Sequence, residues 1–175
     1  MNIIIRKAQA KDATGLGSVH VKCWQESYYG IVDEGYLSQR SITESVQKWQ
    51  NILKDQPKDV FRYVVEADKK IVGFAAAGRQ RDNKIPTDGE IYALYLLNDY
   101  KGRGLGSSLM QKLFLNLMEN GLNSVSLWVF SENKPARNFY EKWGAQAYCE
   151  QEIIVGTQPL YETSYIWDNV SLAKS

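Results

Sequence analysis

The chain has 175 residues, of which 44% are hydrophobic and 23% charged, with a formal net charge of +1. That is the size and balance of one folded globular domain, and the near-neutral charge gives no global attraction toward nucleic acid or a membrane. No apolar run approaches the roughly 20 residues of a membrane span. The opening Met1–Arg6 is too short for a signal peptide. Two cysteines, Cys23 and Cys149, and one histidine, His20, are poor material for a metal site or a Ser-His-Asp triad, and a reduced, cytoplasmic setting is expected.

Ile3–Ala8 reads as a first strand. Asp12 is a fair cap for a helix in which Leu16, His20, Cys23 and Trp24 share one face, and which runs out near Ser27–Gly30. A loop with Asp33, Glu34 and Gly35 follows. Ser41 and Glu44 have capping-box spacing and open a second helix with an apolar stripe of Ile42, Val46, Trp49 and Leu53. Phe61–Glu66 and Lys70–Ala77 form a hairpin about a turn at Ala67–Lys69. Gly78–Gly89 is a charged, solvated loop. Glu90–Leu97 is a strand, apolar after its first residue, as a central strand covered on both faces should be. Beyond it Leu105, Leu109, Leu113 and Leu117 make a helical stripe that stops at Asn120-Gly121. Ser124–Val129 is a strand, Asn133–Lys142 a short helix with Pro135 in its first turn, and Ala145–Val155 and Leu160–Trp167 are final strands. The order predicts an α+β fold: one domain over 1–170, a mixed, mostly antiparallel sheet flanked by helices, and a tail over 171–175.

Between the apolar strand and the helix stand three alternating glycines, Gly102, Gly104 and Gly106. Glycines there let the backbone bend tightly and approach a ligand, while the first N–H groups and the dipole of the helix favour an anion, phosphate above all. A Walker loop needs Lys followed by Ser or Thr after its last glycine; Gly106 is followed by Ser107-Ser108, so that reading fails. A dinucleotide fingerprint would put Ser107 or Leu109 at its third small position, and several strands precede this one, which fits poorly.

Lys101-Gly102-Arg103-Gly104-Leu105-Gly106 resembles the acetyl-CoA signature of the GCN5-related N-acetyltransferases, in which Gln or Arg is followed by two residues, Gly, one residue, and Gly or Ala. Asn133 through Ala145, with Ala136, Asn138, Phe139-Tyr140 and Gly144, is similar to the family's second hallmark. The departure is Lys101, which keeps the charge and loses the planar donor fork. The resemblance implies acetyl-CoA as co-substrate, with its pyrophosphate on the N–H groups of Arg103 to Ser107. It further implies a pantetheine arm paired like a strand along Leu94, Tyr95 and Leu96, Asn133 bonding the arm from the other side, and Asn138 nearby.

The implied reaction moves an acetyl group to a primary amine by direct attack in a ternary complex. Tyr140 aligns with the family's proton donor to the departing sulfur, and Glu90 with a base acting directly or through water. Trp24, Tyr28 and Tyr29 resemble a subgroup's acceptor wall, which with Glu26, Asp33 and Glu34 would suit a cationic amine. Tyr92 and Tyr95, on faces opposite to Ile91 and Leu94, are further candidates. The acceptor is expected to be a small-molecule amine or a peptide N-terminus, with no metal and no nucleic-acid or membrane partner. Family members also often dimerise through late strands. A coenzyme-binding regulatory protein of the same fold, without turnover, is the alternative.

Overall fold

The computed structural model describes residues 2–173. In chain order the elements are β1 (Ile3–Lys7), α1 (Ala13–Ser27), α2 (Glu34–Ser38), α3 (Ile42–Lys54), β2 (Val60–Ala67), β3 (Lys70–Arg79), β4 (Gly89–Leu96), α4 (Leu105–Glu119), β5 (Val125–Phe130), α5 (Lys134–Lys142), β6 (Gln146–Val155) and β7 (Gln158–Trp167). The strands form one sheet in the order β1-β2-β3-β4-β5-β7-β6. Every neighbouring pair is antiparallel except β4 and β5, which run parallel across the α4 crossover. This is the expected mixed, mostly antiparallel sheet flanked by helices. No described helix is long and apolar enough to cross a membrane.

The alternation of side chains along β2 and β3 sorts the core into two layers. Val65 and Ala75 face Leu109, Leu113 and Leu117 of α4, while Val64 and Phe74 face Leu16 and Cys23 of α1 and Trp49 and Leu53 of α3. The three α4 leucines are fully buried, each worth about 1.5–3 kcal/mol of transfer free energy. The β2–β3 turn places Asp68 at φ 45° and Lys69 at φ 67°, the left-handed pair of a two-residue hairpin whose twist matches its strands.

Four local expectations are corrected. Asp12 does not cap α1; its carboxylate accepts hydrogen bonds from the Gln9 amide at 2.8 Å and from Arg6 Nη1 and Nη2 at 2.7 and 2.8 Å, and Arg6 also reaches Glu66. Ser41 does cap α3 by accepting the Glu44 N–H, but Ile42 at the start of the stripe is exposed. Within the loop read as solvated, Ile85 is buried. The loop after α1 contains the short helix α2, capped by Asp33, which accepts the Tyr36 N–H at 2.8 Å. After β7 a 3-10 turn at Val170–Leu172 buries Val170, and Ala173 packs on the same core; Lys174 and Ser175 of the expected tail lie outside the described residues.

Candidate active site

The site begins with a break in the sheet. Strand β4 pairs with β3 along its length, with an irregularity at Tyr92: Ile91 lies opposite Ala77 and Ala93 opposite Ala76, so Tyr92 has no partner. Ile91, Leu94 and Leu96 consequently pack in the α4-side layer, Ala93 and Tyr95 in the α1-side layer. The bulge turns the strand's pleat over and sharpens its bend. Toward β5, β4 is paired only at Gly89–Val125 and Glu90–Ser126. Beyond those two pairs the strands part, and a cleft of about 730 Å³ opens between β4, β5, α5 and the start of α4. One edge of β4 is therefore an unpaired row of backbone groups inside the cleft, a ready partner for an extended amide chain.

At the far end of the cleft the chain makes a 3-10 turn at Asn98–Tyr100 and enters the glycine bend. Gly102 and Gly104 have φ of 71° and 76°, and Gly104 is the left-handed N-cap of α4. A Cβ at either would meet no protein atom within 4 Å, so the demand for glycine there is conformational. Gly102, Gly104, Gly106 and Ser107 line the cleft, and the first amides of α4 lack intrahelical acceptors, which gives this end an anion-binding character. Lys101, at the family's irregular position, lines the cleft and donates from Nζ to Ser27 Oγ at 3.2 Å, tying the bend to the end of α1. Arg103 lies over the Tyr100 ring at 5.4 Å, and neither Arg103 nor Leu105 is among the lining residues.

Helix α5 supplies the opposite wall. Ala136, Phe139 and Tyr140 share one face at i, i+3 and i+4 spacing and line the cleft with Asn133 and Pro135. Asn133 is the N-cap of α5: its Oδ1 accepts the Ala136 N–H at 3.3 Å, so the side chain's amide donors are what it presents. Asn138 is exposed and outside the lining. Tyr140 is 7% exposed, set edge-on against Phe139 and Trp167. Burial, seconded by the neighbouring Tyr95, pushes its phenol well above the ordinary tyrosine value, so it carries its proton at any physiological pH.

Two more hydroxyls stand near it. Tyr28 at the end of α1 and Tyr95 on β4 line the cleft with their oxygens 2.9 Å apart, and burial raises both phenols. Trp24 packs behind Tyr28 and does not line the cleft, and Tyr29 is 70% exposed to solvent. Of the acids expected to draw a cationic amine, Glu26 and Asp33 are engaged elsewhere, and Glu34, at the start of α2, lies outside the cleft lining. Glu26 lines the cleft but accepts the Asn98 N–H at 2.8 Å, and Asp33 caps α2. His20 accepts the Trp49 indole N–H outside the cleft, and burial with help from Arg40 and Lys48 lowers it to about 4. The Cys23 thiol is buried and pushed up to about 12, chiefly by that burial, which makes it an inert apolar group.

Glu90 is brought to the paired end of β4, not into the cleft. Its buried carboxylate accepts the Arg81 backbone N–H at 3.1 Å, Arg81 Nε at 3.0 Å and Nη2 at 2.7 Å. The same guanidinium stacks on Tyr92 at 3.8 Å. Tyr92 is among the lining residues of the cleft, and its hydroxyl donates to the Arg79 carbonyl at 2.6 Å. Residues 127–129 of β5, including Trp128, also line the cleft; sequence reasoning missed them because an apolar strand gives no sign of which neighbour it has lost.

Geometry of this kind has relatives. The model of the acetyltransferase (GNAT) family matches residues 21–145. The uncharacterized N-acetyltransferase YuaI of Bacillus subtilis is 30% identical over 175 residues, 99% of this chain and 97% of that protein. The spermidine N(1)-acetyltransferase of Thermoplasma acidophilum is 25% identical over 82% of this chain and 88% of its own length. Among solved structures, the PaiA N-acetyltransferase of Thermoplasma acidophilum in complex with coenzyme A superposes with a TM-score of 0.73 at 25% identity, covering 94% of this chain and 100% of that one. A family model over most of the chain, a full-length relative and a parted β4–β5 cleft agree: this chain belongs to the acetyltransferase (GNAT) family.

Proposed function

We propose that this protein transfers an acetyl group from acetyl-CoA to a small primary amine by direct attack, with both substrates bound together. The observation that carries the reading is the placement of Tyr140, a buried and protonated phenol, on the wall of a cleft whose far end is a glycine bend at a helix N-terminus. The residues fit the coenzyme. The bend offers N–H groups to a pyrophosphate, the unpaired edge of β4 offers alternating donors and acceptors to the pantetheine amides, and Asn133 offers amide donors from across the cleft.

Acetyl-CoA supplies an activated thioester. As the amine nitrogen bonds to the carbonyl carbon and the carbon–sulfur bond breaks, Tyr140 gives its phenolic proton to the departing thiolate. The proton lost by the amine goes to solvent, from which the phenol is restored. Both cysteines stay outside this scheme, since direct attack needs no covalent enzyme intermediate. Glu90 acts here as a holder of the loop before β4, through Arg81, and Tyr28 and Tyr95 orient the acceptor with their hydroxyl pair.

The aromatic end of the cleft and a relative named for spermidine both support an amine acceptor. The test is a panel of polyamines, amino acids, aminoglycosides and a peptide N-terminus, incubated with acetyl-CoA and read by release of the thiol. Amine-dependent release that disappears in Tyr140→Phe supports the reading. Tight coenzyme A binding with no release on any amine would replace it with the non-catalytic alternative.

A further inference from the structure

Behind the aromatic wall of the cleft lies a second cavity, of about 370 Å³, bounded by α1, α3 and the segment that joins them. The two cavities share no lining residue. Trp24 and Tyr95 stand between them: Trp24 packs edge-on against Tyr28 at 4.9 Å, and Tyr95 lies against His20, a lining residue of the second cavity, at 5.4 Å.

Arg40 dominates this cavity. Its guanidinium carbon sits 4.0 Å from the Trp24 ring centroid, and its Nε is shielded from solvent with no hydrogen-bond partner. Among the described residues no carboxylate forms an ion pair with Arg40 or with Lys48, the second cation of the lining. Glu44, one helical turn before Lys48 on α3, is the only acid of the lining, so the three leave one net positive charge. His20 is neutral and adds none.

An indole covers one face of this guanidinium and its Nε is closed off from solvent, so the outer Nη edge is what an acceptor in the cavity must meet, and that planar fork matches the two oxygens of a carboxylate. One net positive charge suits a monoanion better than a phosphate dianion. The apolar walls formed by Trp49, Tyr36 and Ile52 suit the organic body of such a ligand. We propose that this cavity is a binding site for a small organic carboxylate, separate from the acetyl-transfer cleft, with Arg40 as its anchor and Lys48 as its second cation.

The test follows the indole N–H signals of ¹⁵N-labelled protein while sodium benzoate is titrated in, with neutral benzamide as the isosteric control. Trp24 and Trp49 report on the second cavity and Trp128 on the cleft. Saturable benzoate shifts at Trp24 and Trp49, about tenfold weaker for benzamide and for Arg40→Gln, are the expected result. Lys48→Met, at an exposed position that should not disturb folding, is expected to weaken benzoate several-fold. The proposal is overturned if wild-type protein shows no saturable shift, if benzamide binds as well as benzoate, if both substitutions leave affinity unchanged, or if Trp128 alone responds. None of these readouts depends on acetyl transfer, so the site stands or falls independently of the proposed activity.

Discussion

Arg81 holds Glu90 through three donors, one from its backbone and two from its guanidinium. A carboxylate so engaged, and outside the cleft lining, is poorly placed to take a proton from an amine. Glu90→Gln is therefore expected to keep kcat within about threefold of wild type, whereas loss of a general base removes on the order of 10²–10⁴-fold. Its stability should fall by about 1–2 kcal/mol, because hydrogen bonds to a charged group are exchanged for weaker ones. Turnover assays beside denaturant melts separate the two effects; a hundredfold drop in kcat in a well-folded variant would restore Glu90 as the base.

Tyr140→Phe removes one oxygen from a buried ring and leaves its packing against Phe139 and Trp167. The expected outcome is a fall in kcat of about 10²-fold or more with coenzyme A affinity unchanged within a factor of about two. Calorimetric titration of coenzyme A alongside single-turnover kinetics makes the comparison. A parallel loss of affinity would reassign the tyrosine to binding.

Tyr95→Phe breaks the 2.9 Å contact with Tyr28 and strands that hydroxyl in a buried aromatic cluster. The acceptor KM should rise several-fold with kcat nearly constant, the signature of lost uniform binding. A change in kcat alone would instead place the pair in proton transfer.

Acid should unfold the protein in two stages. His20 sits at about 4 when folded, against 6.5 unperturbed, because burial and then Arg40 and Lys48 disfavour its charged form. The unfolded chain thus binds more protons between those values, and stability falls as pH drops from about 6.5 to 4, by up to about 3 kcal/mol. For Asp12, burial opposes ionisation, but hydrogen bonds from Arg6 and the Gln9 amide overcome it and hold the carboxyl below its ordinary 3.8. Its contribution is present above that value and is lost as pH falls through the folded value. His20→Gln, whose amide oxygen can still accept the Trp49 N–H, should flatten the first stage, and Asp12→Asn the second. Denaturant melts at about pH 7, 5 and 4 read the first slope and melts continued below about pH 3.8 the second, and an unchanged slope in either variant refutes its assignment.

Gly104→Ala asks a side chain to adopt φ of 76° at the start of α4. The cost is about 1–2 kcal/mol of stability. Relief of that strain would rotate the first amides of the helix, so coenzyme A affinity should drop about tenfold or more. Equilibrium unfolding and calorimetry test the pair of effects together.

Much of the fold is legible in the sequence because periodicity and turn chemistry are local. The α4 leucine stripe, the Asp68–Lys69 turn and the Ser41 cap each declare themselves within a few residues. Helix α2 does not, because five residues containing Gly35 carry no period. Asp12 looks like a cap until Arg6, six residues away in sequence and beside it in space, claims the carboxylate. The cleft was half legible. Glycine spacing and the α5 motif point to its two ends, but the role of Glu90 depends on Arg81, and on a bulge at Tyr92 that ordinary strand alternation does not announce. Arg40 gave no sequence signal at all, since its stacking on Trp24 without an ion-pair partner among the described residues is a property of packing.

Joined to its neighbour at only Gly89–Val125 and Glu90–Ser126, β4 divides the sheet into four strands before the crossover and three after it. Each part is stitched internally by antiparallel neighbours, whereas the seam between them rests on two rungs, on the Asp88–Ser124 and Gln80–Ser126 hydrogen bonds beside them, and on the helices packed over both parts. Cooperativity across the molecule therefore runs mainly through the helical layers. Whatever bridges the seam from within the cleft touches both parts at once, and its binding free energy becomes a measure of how firmly two nearly independent half-sheets are locked together.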